Sequence, residues 1–155
     1  MSMLVQHRPA YRAFELIDTS IDWLNRAPLS IPQLMARFAV AGVFFRSGMS
    51  KIANWDLTVE LFQNEYRLPV LPPELAASMG AGLELSIPVL LVLGLFTRLA
   101  VLPLLGMTAV IEIFVYPQNW PEHLTWATLM IYLLLRGAGT YSADHLIARS
   151  FRMGR

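Results

Sequence analysis

From Leu75 to Phe96 the chain carries one charged side chain, Glu84, and from Leu99 to Tyr116 one more between Arg98 and the next turn, Glu112. Runs of this length match the roughly 30 Å of hydrocarbon that a helix of about 20 residues crosses. Charges inside such segments are costly, so they turn towards other helices and find partners there. The chain therefore reads as a helical membrane protein built around a few interior charges.

Two further segments complete the expected set of spans. The first is Ile31 to Ser50, which hydropathy alone scores poorly because Gln33, Arg37 and Arg46 lie within it. Arg37 sits near its first end, where a long side chain snorkels to the interface. Arg46 shares a face with Ala39, Gly42 and Ser50, and small residues on a membrane helix mark close helix contact, so Arg46 is expected to point inward. The same argument turns Glu84 inward, beside Ala77, Gly80, Ala81 and Pro88, and Glu112, beside Thr108 and Ala109. The last and shortest span is Glu122 to Arg136.

Composition agrees. Charged residues make up 15% of the 155, against roughly 25% in a soluble domain, and the mean hydropathy is +0.49. A net charge of +1 gives no basic field for nucleic acid. The absence of cysteine excludes dithiol exchange, iron–sulfur ligation and thiolate nucleophiles within this chain. His7, His123 and His145 are far apart with no paired spacing, so no metal site is expected, and a haem bridged by two histidines is disfavoured.

Residues 1–30 hold no long apolar core, so no cleavable signal is expected there. Phe14, Ile17, Ile21 and Leu24 recur at helical spacing, which predicts an amphipathic interfacial helix. The connection 51–74 predicts a short helix from Asp56, as cap, to about Tyr66, with Trp55, Phe62 and Tyr66 at headgroup level. Residues 137–155 read as a polar tail with a short helix, Ala143 to Phe151, capped by Asp144. The expected organisation is thus 1–30 interfacial, 31–136 a four-helix transmembrane domain and 137–155 a tail, in an all-α polytopic bundle.

Lys and Arg placement sets orientation. With four crossings, Arg8, Arg12, Arg26, Arg37, Arg98, Arg136, Arg149, Arg152 and Arg155 fall on one side, and Lys51 and Arg67 on the other. Both termini are therefore expected in the cytoplasm. Arg46, Glu84 and Glu112 would then meet in the outer half, with Lys51 at the mouth above them. Such a group is either an ion pair that orients the helices or a polar pocket with a spare carboxylate for a ligand or a proton. Tyr66, Tyr116, Trp120 and Trp126 either line a ring-binding pocket or stand as interface aromatics.

Four stretches carry a family resemblance: FFRSGMSKIANWDLTVELFQNEY, LPVLPPELAA, PVLLVLGLFTRLA after Glu84, and GAGTYSADHL. In order and spacing, over about residues 34–147, they resemble the DoxX/DoxD family of bacterial membrane proteins. The family's (H/S)G-xx-K(I/L) pattern is matched by Ser47-Gly48-Met49-Ser50-Lys51-Ile52. Its GL-xx-R is matched by Gly94 to Arg98, and its G-x-G-x-(Y/W)-S-x-D by Gly137 to Asp144. Thr140 stands where many members have a basic residue, so an ion pair from that position to Asp144 does not carry over.

The resemblance implies a four-helix bundle in the bacterial inner membrane and an association with quinone reduction, as a membrane partner of a soluble redox enzyme. The expected ligand is a quinone or similar hydrophobic small molecule, with no covalently bound cofactor. The residues expected at it are Arg46, Lys51, Glu84, Glu112 and Tyr116, while Arg37, Arg98 and Asp144 are expected to be structural. The lipid bilayer is a partner in any case, and a homodimer is compatible with the chain. Two other readings stay open: a non-catalytic adaptor docking proteins through 1–30 or 51–74, and a small-molecule or lipid transporter.

Overall fold

The computed structural model describes residues 9–153, with side chains described for 14–151. His7, Arg8 and Arg155 lie outside the described residues, and the side chains of Arg12 and Arg152 are not described. The described chain is helical, with no strand. Helix α1 runs Pro9–Arg26, α2 Ser30–Ala53, α3 Trp55–Leu61, α4 Pro73–Leu93, α5 Thr97–Val110, α6 Trp120–Arg136 and α7 Ala143–Met153. One turn of π-helix, Phe62–Tyr66, extends α3, and another, Ile111–Val115, extends α5.

Four long helices close a ring: α2 packs on α4, α4 on α5, α5 on α6, and α6 back on α2. The core holds one residue layer after another from each, among them Val40, Phe44, Leu91, Val101, Leu104, Met130 and Leu133. Two helical stretches, Pro73–Leu93 and Thr97–Val115, are long and apolar enough to cross a membrane. The stretch Phe14–Arg26 qualifies together with α2, but the pair is bent by 65°. Pro28 lies in the break and Pro32 in the first turn of α2, where a proline is tolerated after an interruption. The described side chains of α1, from Phe14 on, are all exposed, as an interfacial helix requires.

One end of the ring is tied by Arg37. It does not snorkel outward: it is 2% exposed, and its guanidinium donates four hydrogen bonds to backbone carbonyls. Two go to Leu91 and Val92 at the end of α4, at 2.8 Å each, and two to Ala138 and Tyr141 in the loop after α6, at 2.8 and 2.7 Å. The last carbonyls of a helix have no partner within it and carry its negative dipole end, so they suit a buried cation. Snorkelling is unnecessary because these acceptors are already there.

The α4–α5 turn is shaped to fit this contact. Gly94 ends α4 in the left-handed region (φ 66°), with Leu95 N–H on Leu90 O at 2.9 Å and Gly94 N–H on Leu91 O at 3.1 Å. This pair of bonds is the Schellman arrangement, which favours glycine. A Cβ on Gly94 would stand 2.5 Å from Ser142 Cβ and 2.8 Å from Arg37 Nη1. Gln33, one turn before Arg37, donates to Arg136 O at 3.0 Å and packs against Gly139, whose added Cβ would lie 2.7 Å from its Oε1.

Two capping expectations need correction. Asp144 does not cap α7: its oxygens accept from Phe96 N–H (2.7 Å) and Thr97 N–H (3.0 Å), so it caps α5 across the turn. Ser142 caps α7 instead, accepting from His145 N–H at 3.2 Å, because it stands immediately before the helix. Asp56 likewise lies within the first turn of α3, and Asn54 accepts from Leu57 N–H at the cap position.

Arg37→Met should lower stability by about 3 kcal/mol, since it strands buried carbonyls at once. Arg37→Lys should recover little of this, because one ammonium cannot span both groups of acceptors. Thermal unfolding in detergent measures both.

Candidate functional site

The other end of the ring opens into a cavity of about 380 Å³. Its walls come from α2 (Phe44, Ser47, Lys51), α4 (Gly80, Leu83, Glu84), α5 (Met107, Val110) and α6 (His123, Trp126), closed over by Phe62, Tyr66 and Tyr116. The lining is mostly apolar, with its polar groups drawn from a few side chains.

The first polar group is an ion pair. Glu84 is 3% exposed, halfway along α4. Lys51 Nζ donates to both its oxygens, at 2.7 and 2.9 Å, and to Ser47 Oγ at 2.8 Å. Ser47 in turn donates to Glu84 at 3.2 Å. Ser47 and Lys51 are one helical turn apart, so they share a face. Between them Gly48 removes the obstacle to α4: an added Cβ would lie 3.0 Å from Glu84 Cβ and 2.9 Å from Leu85 Cγ. The SG-xx-K segment is therefore a docking surface for one carboxylate. Thr58 finishes this end of α2, donating to Lys51 O at 3.0 Å.

The second group is His123 with Glu112. His123 Nδ1 lies 2.5 Å from Glu112 Oε2. The imidazole is 6% exposed and on the cavity wall, whereas the carboxylate side chain is 32% exposed and lines a separate shallow groove on the outside of α5 and α6. Glu112 sits in the π-turn that ends α5, a distortion frequent at functional sites.

The third group is aromatic. Tyr66 and Tyr116 meet edge to face with ring centres 5.8 Å apart, and Phe62 meets Tyr66 in the same way at 4.8 Å. Tyr116 donates a short hydrogen bond to Glu65. Phe44 and His123 both pack on Trp126, at 5.6 and 5.3 Å.

The expected meeting of Arg46, Glu84 and Glu112 does not occur. Arg46 is exposed, as are Ala39, Gly42 and Ser50 on its face, and nothing lies within 4 Å of a Cβ added to Gly42. The inward face of α2 is the one that carries Gln33, Ala36, Arg37, Val40, Ala41, Phe44 and Gly48. Small residues do mark the close contact, but at Ala36, Ala41 and Gly48. Lys51, expected above the group, is the partner of Glu84 itself, and Tyr116 lines the cavity. Glu112 reaches the site only through His123, a residue that sequence reasoning set aside because no metal-type spacing pointed to it. Arg98 lies at the opposite end, exposed, donating to Leu135 O at 3.4 Å. Among the described residues no three His, Asp or Glu side chains gather closely enough to hold a metal ion.

The pair allows a clean separation of roles. Glu84→Gln should destabilise by about 3 kcal/mol, because it leaves the Lys51 ammonium against a neutral, half-matched partner. The double variant Lys51→Met, Glu84→Met should unfold within about 1 kcal/mol of the parent, since apolar replacements of a buried pair are often neutral or better. Thermal unfolding of the purified variants compares them.

A family model described as DoxX matches residues 33–117. No curated protein and no solved structure gives a significant match. The matched segment runs from Gln33 through the π-turn of Glu112 and includes the whole SG-xx-K docking surface and its carboxylate, while the Gly137–Asp144 loop and His123 fall beyond it. With more than half of its length matched, and with apolar helices of membrane-crossing length in the matched part, the chain belongs to the DoxX family of membrane proteins.

Proposed function

We propose that the protein is a redox-associated membrane subunit that binds a quinone, or a hydrophobic small molecule of the same build, in the 380 Å³ cavity. The observation that carries the reading is an apolar chamber with one buried, fully engaged ion pair on its wall. Ligand sites of this size combine apolar walls with a few placed polar groups. Phe44, Trp126 and the two tyrosines offer ring faces to a flat ligand, and a ring carbonyl would accept from Tyr66, or from Lys51 in place of its bond to Ser47. A bound quinone supplies two-electron, two-proton chemistry, and Glu84 stands beside the chamber as a group that takes or gives a proton. Arg46 is exposed and not on the cavity wall, so it has no part in this role.

In this reading α2, α4, α5 with its π-turn, and α6 all cross the bacterial inner membrane. The cavity lies in the outer half, and both termini are cytoplasmic. The basic side chains Arg26, Arg98, Arg136 and Arg149 support that orientation, because they gather at the end that carries α1 and α7.

Two measurements test these statements. Trp126 is in the wall, so a short-chain ubiquinone should quench indole fluorescence saturably, and Trp126→Phe should remove most of the quench. The double variant Lys51→Met, Glu84→Met, if it folds as expected, should bind about tenfold or more weakly, the worth of one charge-assisted hydrogen bond. Equal affinity in parent and double variant would sink the ligand reading. For orientation, the native chain has no cysteine to interfere. Asn119→Cys should react with an impermeant maleimide in intact cells, and Ser150→Cys only after the membrane is opened.

A further inference from the structure

At the end of the ring opposite the cavity, a broad groove of about 700 Å³ runs between the α4–α5 turn and the loop after α6. Arg98 and Arg136 line it together with His145, and so do the hydroxyls of Ser30 and Thr140. Among the described residues neither arginine is in an ion pair. Arg98 rests over the end of α6, its Nη2 on Leu135 O at 3.4 Å, and stays exposed. The one carboxylate in the groove, Asp144, has both oxygens turned to the backbone N–H groups of Phe96 and Thr97. The groove is therefore a cationic recess whose only acid is already engaged.

Its depth relative to a bilayer follows from the two amphipathic helices beside it. Helix α1 leads into Ser30, and α7 begins at Ala143, so both leave the ring at this end. Both expose apolar side chains along a face: Phe14, Ile17, Ile21 and Leu24 on α1, and Leu146, Ile147 and Phe151 on α7. Helices of this kind lie in the headgroup layer with the apolar face towards the acyl chains. Phe96 and Leu99, on the rim of the groove, are 61% and 65% exposed and continue that apolar surface.

We propose that this groove binds the phosphate of an anionic glycerophospholipid, with Arg98 and Arg136 on the phosphate oxygens, Ser30 and Thr140 near the glycerol, and an acyl chain descending past Phe96 and Leu99. Arginine suits the task because its planar fork matches phosphate oxygens in pairs. Basic recesses between membrane helices at headgroup depth take anionic lipids on the same grounds. The inference is independent of what the cavity binds.

Native mass spectrometry of the full chain in detergent tests it, with dioleoyl phosphatidylglycerol, dioleoyl phosphatidylcholine and glycerol 1-phosphate as three separate probes. The parent should retain phosphatidylglycerol in preference to phosphatidylcholine, and Arg98→Gln, Arg136→Gln should lower that retention about tenfold or more. Arg67→Gln, at the far end, should change nothing, and Arg98→Lys, Arg136→Lys should retain an intermediate amount. Binding of glycerol 1-phosphate alone, lost in the same double variant, upholds the phosphate site and identifies a soluble ester as a sufficient ligand. Equal retention of the two lipids, or unchanged retention in the folded double glutamine variant, overturns the proposal. A thermal melt confirms that the variant is folded; both arginines are exposed, so little change is expected.

Discussion

The arrangement depends on one buried cation whose hydrogen bonds all go to backbone carbonyls. Arg37 reaches the end of α4 on one side and the loop after α6 on the other. A guanidinium in a low-dielectric interior is tolerable when its N–H groups are satisfied, and four of them meet carbonyl oxygens here. The same contact dictates glycine at position 94, because any side chain would collide with the guanidinium. Asp144 completes the latch by taking the free N–H groups at the start of α5, and its own N–H donates to Gly94 O at 2.9 Å. Motifs that are far apart in sequence, Gly94 to Arg98 and Gly137 to Asp144, are thus two halves of one joint.

With that end closed, the other can be open. The four helices are tied where α2 begins and α6 ends, and the chamber lies where α2 ends and α6 begins. There the helices are terminated by π-turns and short segments, Phe62–Tyr66 and Ile111–Asn119, in place of direct helix packing. These irregular segments bring Tyr66 and Tyr116 together over the chamber. Irregular backbone is tolerated where it lines a cavity, and both segments do so here.

Much of this was legible in the sequence, for definite reasons. Helix number and extent follow from apolar runs, and the burial of Glu84 follows from the cost of a carboxylate in lipid. The direction of α2 was not legible, because both of its faces carry small residues and an arginine. Arg46 with Ala39, Gly42 and Ser50 is locally as good a candidate as Arg37 with Ala36, Ala41 and Gly48. What separates them is a set of backbone acceptors 54 to 104 residues away, and no pattern within the helix reports on those. His123 was missed for a related reason. Its partner, Glu112, comes from the preceding helix through a π-turn, so neither helical spacing nor a metal-type motif relates the two.

The buried Arg37 and the half-buried Lys51 differ in what their bonds do for the fold. Every bond that Arg37 makes joins one element to another, so the fold accounts for it in full. Lys51 and Glu84 also join α2 to α4, yet apolar packing already does so along the same pair of helices, at Val40, Ala41, Phe44 and Ile87. Replacing such a pair by apolar side chains typically costs a protein nothing and often stabilises it. Cohesion of the ring is therefore a poor reason for charges at this position. They stand on the wall of an otherwise apolar chamber, where the desolvation that makes the charges costly also strengthens the bonds between them.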